Sequence, residues 1–208
     1  MAKASWIKVD PASGSGNANV KVSSTAEHTG RVARTTVLTW KAANVNNVVR
    51  TVNQSGKPEY VDIDDAASAD KAGKTLTISG ISNSKKLTFT YGTGTGDLML
   101  LPNAAQLITA KYTANSIETT NGAEIAGDPG ATAVYNFSIA ITVPANNTTS
   151  AKTRQLIVTD EGGHQDICLI TSAAGDAYVT IAEGNIELDY KGTAVTVEVK
   201  SNTNWTIE

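Results

Sequence analysis

A stretch in the middle of this chain returns near its end, at a spacing the chain is too short to contain twice. Gly73-Lys-Thr-Leu-Thr-Ile-Ser-Gly-Ile-Ser-Asn83 aligns without gaps on Gly192-Thr-Ala-Val-Thr-Val-Glu-Val-Lys-Ser-Asn202, an offset of 119 residues. Arg34-Thr-Thr-Val-Leu-Thr39 aligns on Arg154-Gln-Leu-Ile-Val-Thr159 at 120, and Asp10-Pro11 on Asp128-Pro129 at 118. Segment 47–53, followed by Gly56 and Tyr60, parallels 166–171, Gly175 and Tyr178. Self-similarity at a fixed period marks one structural unit used more than once. With 208 residues and a period near 119, one complete copy covers 60–175. Residues 1–56 match the back half of a copy and 176–208 the front half. Read as 176–208 followed by 1–56, the remainder makes a second domain split across the chain termini.

Short period-2 runs rich in Val, Ile and Thr dominate, as on pleated, half-buried surfaces, and no long amphipathic helix competes with them. Expected strands are 5–9, 19–23, 35–40, 47–53, 60–63, 75–79, 86–91, 98–101, 135–142, 154–159, 166–171, 178–181, 186–189, 194–200 and 205–208. Clusters of Gly, Asn, Asp and Ser separate them. About fifteen short strands exceed the seven to nine of one sandwich, so two sandwiches are expected. The 102–132 segment is less regular and reads as an elaborated loop, in which 103–110 is either a short helix or a strand.

Composition narrows the function. The net charge is −3, from 17 Lys and Arg against 20 Asp and Glu, with no basic stripe. Nucleic acid is therefore not an expected partner, since phosphate binding needs clustered cations. No apolar run reaches the roughly 18 residues of a membrane-spanning helix, so no membrane partner is expected. The start, Met1-Ala-Lys-Ala-Ser-Trp6, lacks the apolar core of a secretory signal, which predicts a protein made in a cytoplasm. Cys168 is the single cysteine, so no disulfide closes within the chain, and in Asp166-Ile-Cys-Leu-Ile170 it reads as a small buried hydrophobe.

In the rejoined order the chain reads Val195-Thr-Val-Glu-Val-Lys-Ser-Asn-Thr-Asn-Trp205-Thr-Ile, then Ser5-Trp6-Ile-Lys-Val-Asp-Pro-Ala-Ser-Gly14. It continues through Gly30-Arg31 and Arg34-Thr-Thr-Val-Leu-Thr39 to Val52-Asn-Gln54-Ser-Gly56. This resembles the BACON family of immunoglobulin-like domains. The shared pattern is a strand ending in Ser-Asn, a Trp, a second Trp opening the next strand, a Pro-x-x-Gly turn, an Arg-led strand and a closing Gln-x-Gly. The middle copy diverges from it: it lacks both Trp residues, has Ser172 where the Gln would sit and carries the extra 102–132 segment. The resemblance implies an all-β fold of two immunoglobulin-like β-sandwich domains, one split across the termini.

It also implies one of two settings. One is the virion of a phage infecting Bacteroidota, as in crAss-like phages, where such a domain serves as an auxiliary or decorating capsid protein or as a fibre or adhesion module. The other is a bacterial cell-surface carbohydrate-binding or spacer module. The missing signal favours the virion, with the major capsid protein or other virion proteins as partners, glycan as a further ligand, and self-association, either closed within the chain or head-to-tail between subunits.

No pattern of catalytic, cofactor-binding or metal-ligating residues stands out. His28 and His164 each stand alone in a turn. Asp160-Glu-Gly-Gly-His-Gln-Asp166 reads as a solvated hairpin, without the ligand spacing of a zinc or calcium loop. Asp62, Asp64 and Asp65 read as interdomain surface rather than a cation site. Thr93-Gly-Thr-Gly-Asp97 is Gly-rich, but no Gly-Lys-Ser/Thr follows, so it reads as a turn joining 86–91 to 98–101. Trp6 and Trp205 match family positions in the core of the split domain, and Trp40, ending a strand, is the candidate for facing a sugar.

Overall fold

A computed structural model describes residues 3–182 and 184–208. The chain forms three blocks. In the first, β1 (Ile7–Asp10) pairs antiparallel with β2 (Lys21–Ser24), and β3 (Arg34–Trp40) pairs antiparallel with β4 (Val48–Gln54). The two ribbons share no ladder. Ile7 and Leu38 are the block's only buried apolar side chains among the described residues, while Val20, Val22, Val37, Val48 and Val49 stay exposed.

The second block is a two-sheet sandwich. Its strands are β5 (Val61–Ile63), β6 (Ala66–Ala69), β7 (Lys74–Ser82), β8 (Leu87–Thr95), β9 (Lys111–Ala114), β10 (Ile117–Thr120), β11 (Tyr135–Val143), β12 (Lys152–Asp160) and β13 (Gln165–Ser172). One sheet runs β10-β9-β11-β7-β5 and the other β6-β13-β12-β8. Alternation places Tyr135, Phe137, Ile139, Ile141 and Val143 of β11 inward, opposite Leu156 and Val158 of β12 and Cys168 and Ile170 of β13 in one continuous core. Phe89 fills its centre, with ring centroids 4.8 Å from Tyr112 and 5.9 Å from Phe137. Such tilted and edge-on arrangements suit the aromatic quadrupole.

The 102–132 segment is not a loop, as its irregular pattern suggests, but adds an edge to the first sheet. A short helix, α1 (Ala104–Leu107), opens it, and the Asn103 and Gln106 side chains cap its start reciprocally. β9 and β10 then form a hairpin across Asn115 and Ser116, both at positive φ (49° and 65°). Two central residues at positive φ match the twist of a two-residue hairpin. β6 also goes unseen in the sequence, because Ala-Ala-Ser-Ala carries no β-branched or aromatic residue. It pairs in parallel with β13. Conversely, 98–101 forms no strand: Leu98 and Leu100 are buried, and Leu101 makes one bridge to Thr142.

Thr93-Gly-Thr-Gly-Asp97 turns later than its composition implies. β8 continues to Thr95 across a bulge against β12. Gly94 allows this, since a Cβ there would lie 2.1 Å from the Thr153 carbonyl oxygen.

In the third block, β14 (Val179–Ile181) pairs antiparallel with β15 (Val199–Ser201). The expected strands at 186–189 and 205–208 are absent, and only the end of 194–200 is regular. Tyr178, Ile181, Ile186, Leu188, Val195 and Ile207 are exposed. Extended segments hold as strands only when a neighbour takes their backbone groups and a second sheet covers their apolar face. No described helix is long and apolar enough to cross a membrane.

Candidate functional site

The Ser-Asn pair that ends both copies of the repeat lies where blocks meet. At the first junction, Ser82 Oγ donates to the Tyr60 carbonyl (2.7 Å), and Asn83 Oδ1 accepts from Tyr60 N–H (3.0 Å). Asn83 Nδ2 faces the carbonyls of Thr29 (3.2 Å), Lys57 (3.3 Å) and Pro58 (3.2 Å). Lys57 N–H donates to Gly30 (2.9 Å). His28 Nε2 lies 2.7 Å from the Val32 carbonyl. That carbonyl can only accept, so Nε2 carries the proton. His28 is thus a buried structural donor rather than a lone turn residue.

The second junction repeats these contacts. Ser201 Oγ donates to the Tyr178 carbonyl (2.8 Å), and Asn202 Oδ1 accepts from Tyr178 N–H (3.0 Å). Asn202 Nδ2 donates to the carbonyls of Asn147 (2.8 Å) and Asp176 (2.9 Å). Gly175 N–H donates to Thr148 (2.7 Å), as Lys57 does to Gly30. Asn146 Nδ2 donates to Ser150 (2.9 Å), taking the part of His28 on Val32. Residues 28, 29, 30, 32, 57, 58 and 60 correspond to 146, 147, 148, 150, 175, 176 and 178, an offset of 118, and 82–83 to 201–202 at 119. One geometric relation therefore joins the first block to the second and the second to the third.

Charge differs between the junctions. At the first, Arg31 pairs with Asp128, lies 3.7 Å from Glu59 Oε1 and donates to the Asn83 carbonyl (2.9 Å). The hydrogen bond to Asp128 raises the Arg31 pKa above its usual value. Asp128 sits at φ 44° just before a 3-10 turn, Pro129–Ala131, and Gly130 packs so closely on Asn83 that a Cβ would lie 2.3 Å from its carbonyl oxygen. At the second junction Lys71 pairs with the exposed Asp176.

The motif residues of the terminal blocks are placed as follows. Arg34 and Gln54 oppose each other in the β3–β4 ladder, and Arg34 Nε donates to Gln54 Oε1 (2.9 Å). In the middle sandwich the same register places Lys152 opposite Ser172, so Lys152, not Arg154, is the counterpart of Arg34 and the offset is 118 rather than 120. Trp6 is half-buried, with the Arg34 guanidinium 4.5 Å from its ring centroid. Trp205, expected in a core, is 48% exposed, because no second sheet covers it in the single chain. Trp40 is 40% exposed and lines an open cleft of about 550 Å³ between β3 and the end of β1 with the turn after it, with Val9, Leu38 and Thr39.

The remaining candidates resolve into structural parts. The 160–166 hairpin forms, but it is not wholly solvated: the Asp160 side chain is buried and accepts from His164 N–H (2.8 Å), with His164 Nδ1 at 2.9 Å. Asp62, Asp64 and Asp65 do not face another block. They line a groove of about 1030 Å³ made by the middle sandwich alone, where Asp64 accepts from Ser79 N–H (2.8 Å). Among the described residues no group of three or more His, Cys, Asp or Glu is placed to hold a metal ion. Cys168 is fully buried, and desolvation pushes its thiol up to about 11. The sequence matches no protein-family model and no curated protein.

Proposed function

We propose that this protein is a structural virion component of a phage infecting Bacteroidota, an auxiliary or decorating capsid protein that carries no chemistry of its own. The observation behind this reading is the repeated junction. Buried Asn83 and its counterpart Asn202 each tie their own unit to the preceding one through side-chain bonds to backbone. Such bonds fix orientation without a flexible linker, and a stiff row of sandwiches suits a part that spans or decorates a lattice. The resemblance of the terminal blocks to BACON-like domains points to the same setting, with the major capsid protein as partner. Antibodies against the chain, applied to purified virions and to host envelopes, test it. Labelling of phage heads is expected. Labelling confined to cell envelopes, with bare virions, overturns it.

One observation favours a second reading, a carbohydrate-binding module on a fibre or cell surface. Trp40 presents an exposed indole at the rim of an open cleft. Under that reading glycans shift tryptophan fluorescence, and W40A abolishes the shift.

A further inference from the structure

We infer that Asn121–Gly122 is a latent self-modification site, silent while the Asn121 side chain is held against β8 and active once the 102–132 segment lifts away. Asn121 is the only asparagine of the sequence followed by glycine. The reaction joins the backbone nitrogen of the following residue to the asparagine side chain, and glycine hinders that nitrogen least because it carries no Cβ.

The two residues close the edge of β8 that faces away from β12. Gly122 N–H donates to the Leu87 carbonyl (3.0 Å), and Asn121 Oδ1 accepts from Phe89 N–H (3.1 Å), where a neighbouring strand would otherwise bond. Ile125 N–H donates to the Lys85 carbonyl (2.7 Å), so 121–125 runs along the start of β8 without forming a regular strand. On the other side, Asn121 N–H donates to the Ala110 carbonyl (2.7 Å), and Nδ2 donates to the Leu107 carbonyl. One buried side chain thus ties the end of α1 to β8.

The same bonds set the reactivity. Both ends of the Asn121 amide are engaged and the Gly122 N–H is held by Leu87, so in the closed state neither is free to turn toward the other. Lifting of the segment frees both. The space beside Gly122 is open, since a Cβ there would meet nothing within 4 Å. The Gly122 nitrogen gives up its proton and attacks Asn121 Cγ, closing a succinimide ring as ammonia leaves with that proton. Water then opens the ring on either side, leaving aspartate or isoaspartate at 121, so water is the only co-reactant. Either product lacks the Nδ2 donor to Leu107 and adds a negative charge where the side chain was 5% exposed. A buried charge without a matching donor is destabilising. The segment therefore does not settle back, and the Leu87–Phe89 edge of β8 stays open to an added strand.

The test follows the full chain by peptide mapping in mildly alkaline buffer, reading isoaspartate and the amide-to-acid mass change at 121. In urea, 121 is expected to convert well ahead of Asn83 and Asn115, each followed by serine. In native buffer the wild type is expected to keep its amide. Leu107→Ala empties a fully buried site at the residue whose carbonyl holds Asn121. It is expected to speed native conversion about tenfold or more, while continued shielding of Cys168 from a thiol reagent shows that the sandwich is intact. Asn121→Asp carries the charge of the product from the start. In it the Leu107 and Ala110 amides, bonded to Asn103 and Leu107, are expected to exchange about tenfold faster than in wild type. Native conversion as fast as in urea overturns the inference, and so does conversion in urea no faster than at the two serine sites. L107A converting no faster than wild type, with Cys168 still shielded, overturns it as well. Should L107A expose Cys168, N121D decides alone, and unchanged exchange at Leu107 and Ala110 overturns the release.

Discussion

Replacing Asn83 by alanine isolates the junction. The side chain is fully buried, and its amide makes one bond through Oδ1 to Tyr60 N–H and faces three carbonyls with two N–H groups. At most three good bonds are therefore lost. At about 1 kcal/mol each, with buried partners left unpaired, the junction loses about 3 kcal/mol. Asn202 makes the matching bonds in a half-exposed setting. Water replaces them there, so N202A costs about 1 kcal/mol. Native-state hydrogen exchange reads this at Lys57 N–H, whose own bond to Gly30 is untouched by the substitution. A loss of about 3 kcal/mol accelerates exchange at Lys57 about 100-fold. In N202A the corresponding Gly175 amide speeds up about fivefold. Acceleration below about threefold at Lys57, or equal effects at the two junctions, refutes the claim that buried Asn83 is the lock.

Core and titration predictions follow from the same structure. Ile78→Ala empties a fully buried site at the middle of β7 and is expected to lower stability by about 2–5 kcal/mol in urea unfolding; a loss under about 1 kcal/mol means the sandwich core is packed otherwise. Gly94→Ala forces a Cβ against the Thr153 carbonyl and is expected to cost about 1–3 kcal/mol, with faster exchange along β8 and β12 and little change on the opposite sheet. Cys168, with its thiol raised to about 11 by burial, should resist thiol reagents at pH 8 until the chain unfolds; fast labelling of native protein contradicts its place in the core. Burial also raises the phenols of Tyr91 and Tyr112 from 10.0 to about 12. A raised folded-state pKa of an acid means stability is full below pH 10 and is lost as pH climbs toward 12. Tyr112 Oη has no hydrogen-bond partner, so Y112F should be near neutral at pH 8 and more alkali-resistant than wild type; equal alkaline unfolding midpoints would count against that.

What the sequence determined by itself was local or periodic. Alternation in 135–142 and 166–171 marks β11 and β13 because a pleated strand between two environments needs a period of two. The repeat of Ser82-Asn83 at Ser201-Asn202 was readable because the same bonds to the preceding unit and the link after it require the same two side chains. Cys168 read as a core residue from its apolar neighbours alone. β6, β9 and β10 were not readable: an Ala-rich edge and an Asn-Ser hairpin carry weak intrinsic preference, and β6 pairs with β13 across 103 positions of chain and β9 with β11 across 23 to 27. Register was also non-local, so the match of Arg34 to Arg154 had to yield to Lys152 once the ladder opposite Ser172 was known. The separation of the two junctions was decided only by the tertiary structure. The repeat raised the expectation of two halves of a domain and left open whether one chain joins them, because chain reach depends on which ends of the sandwich they leave. The nine-residue length of β7 puts those exits at opposite ends of the middle block, and that distance is a property of the packed sheet rather than of any residue in it.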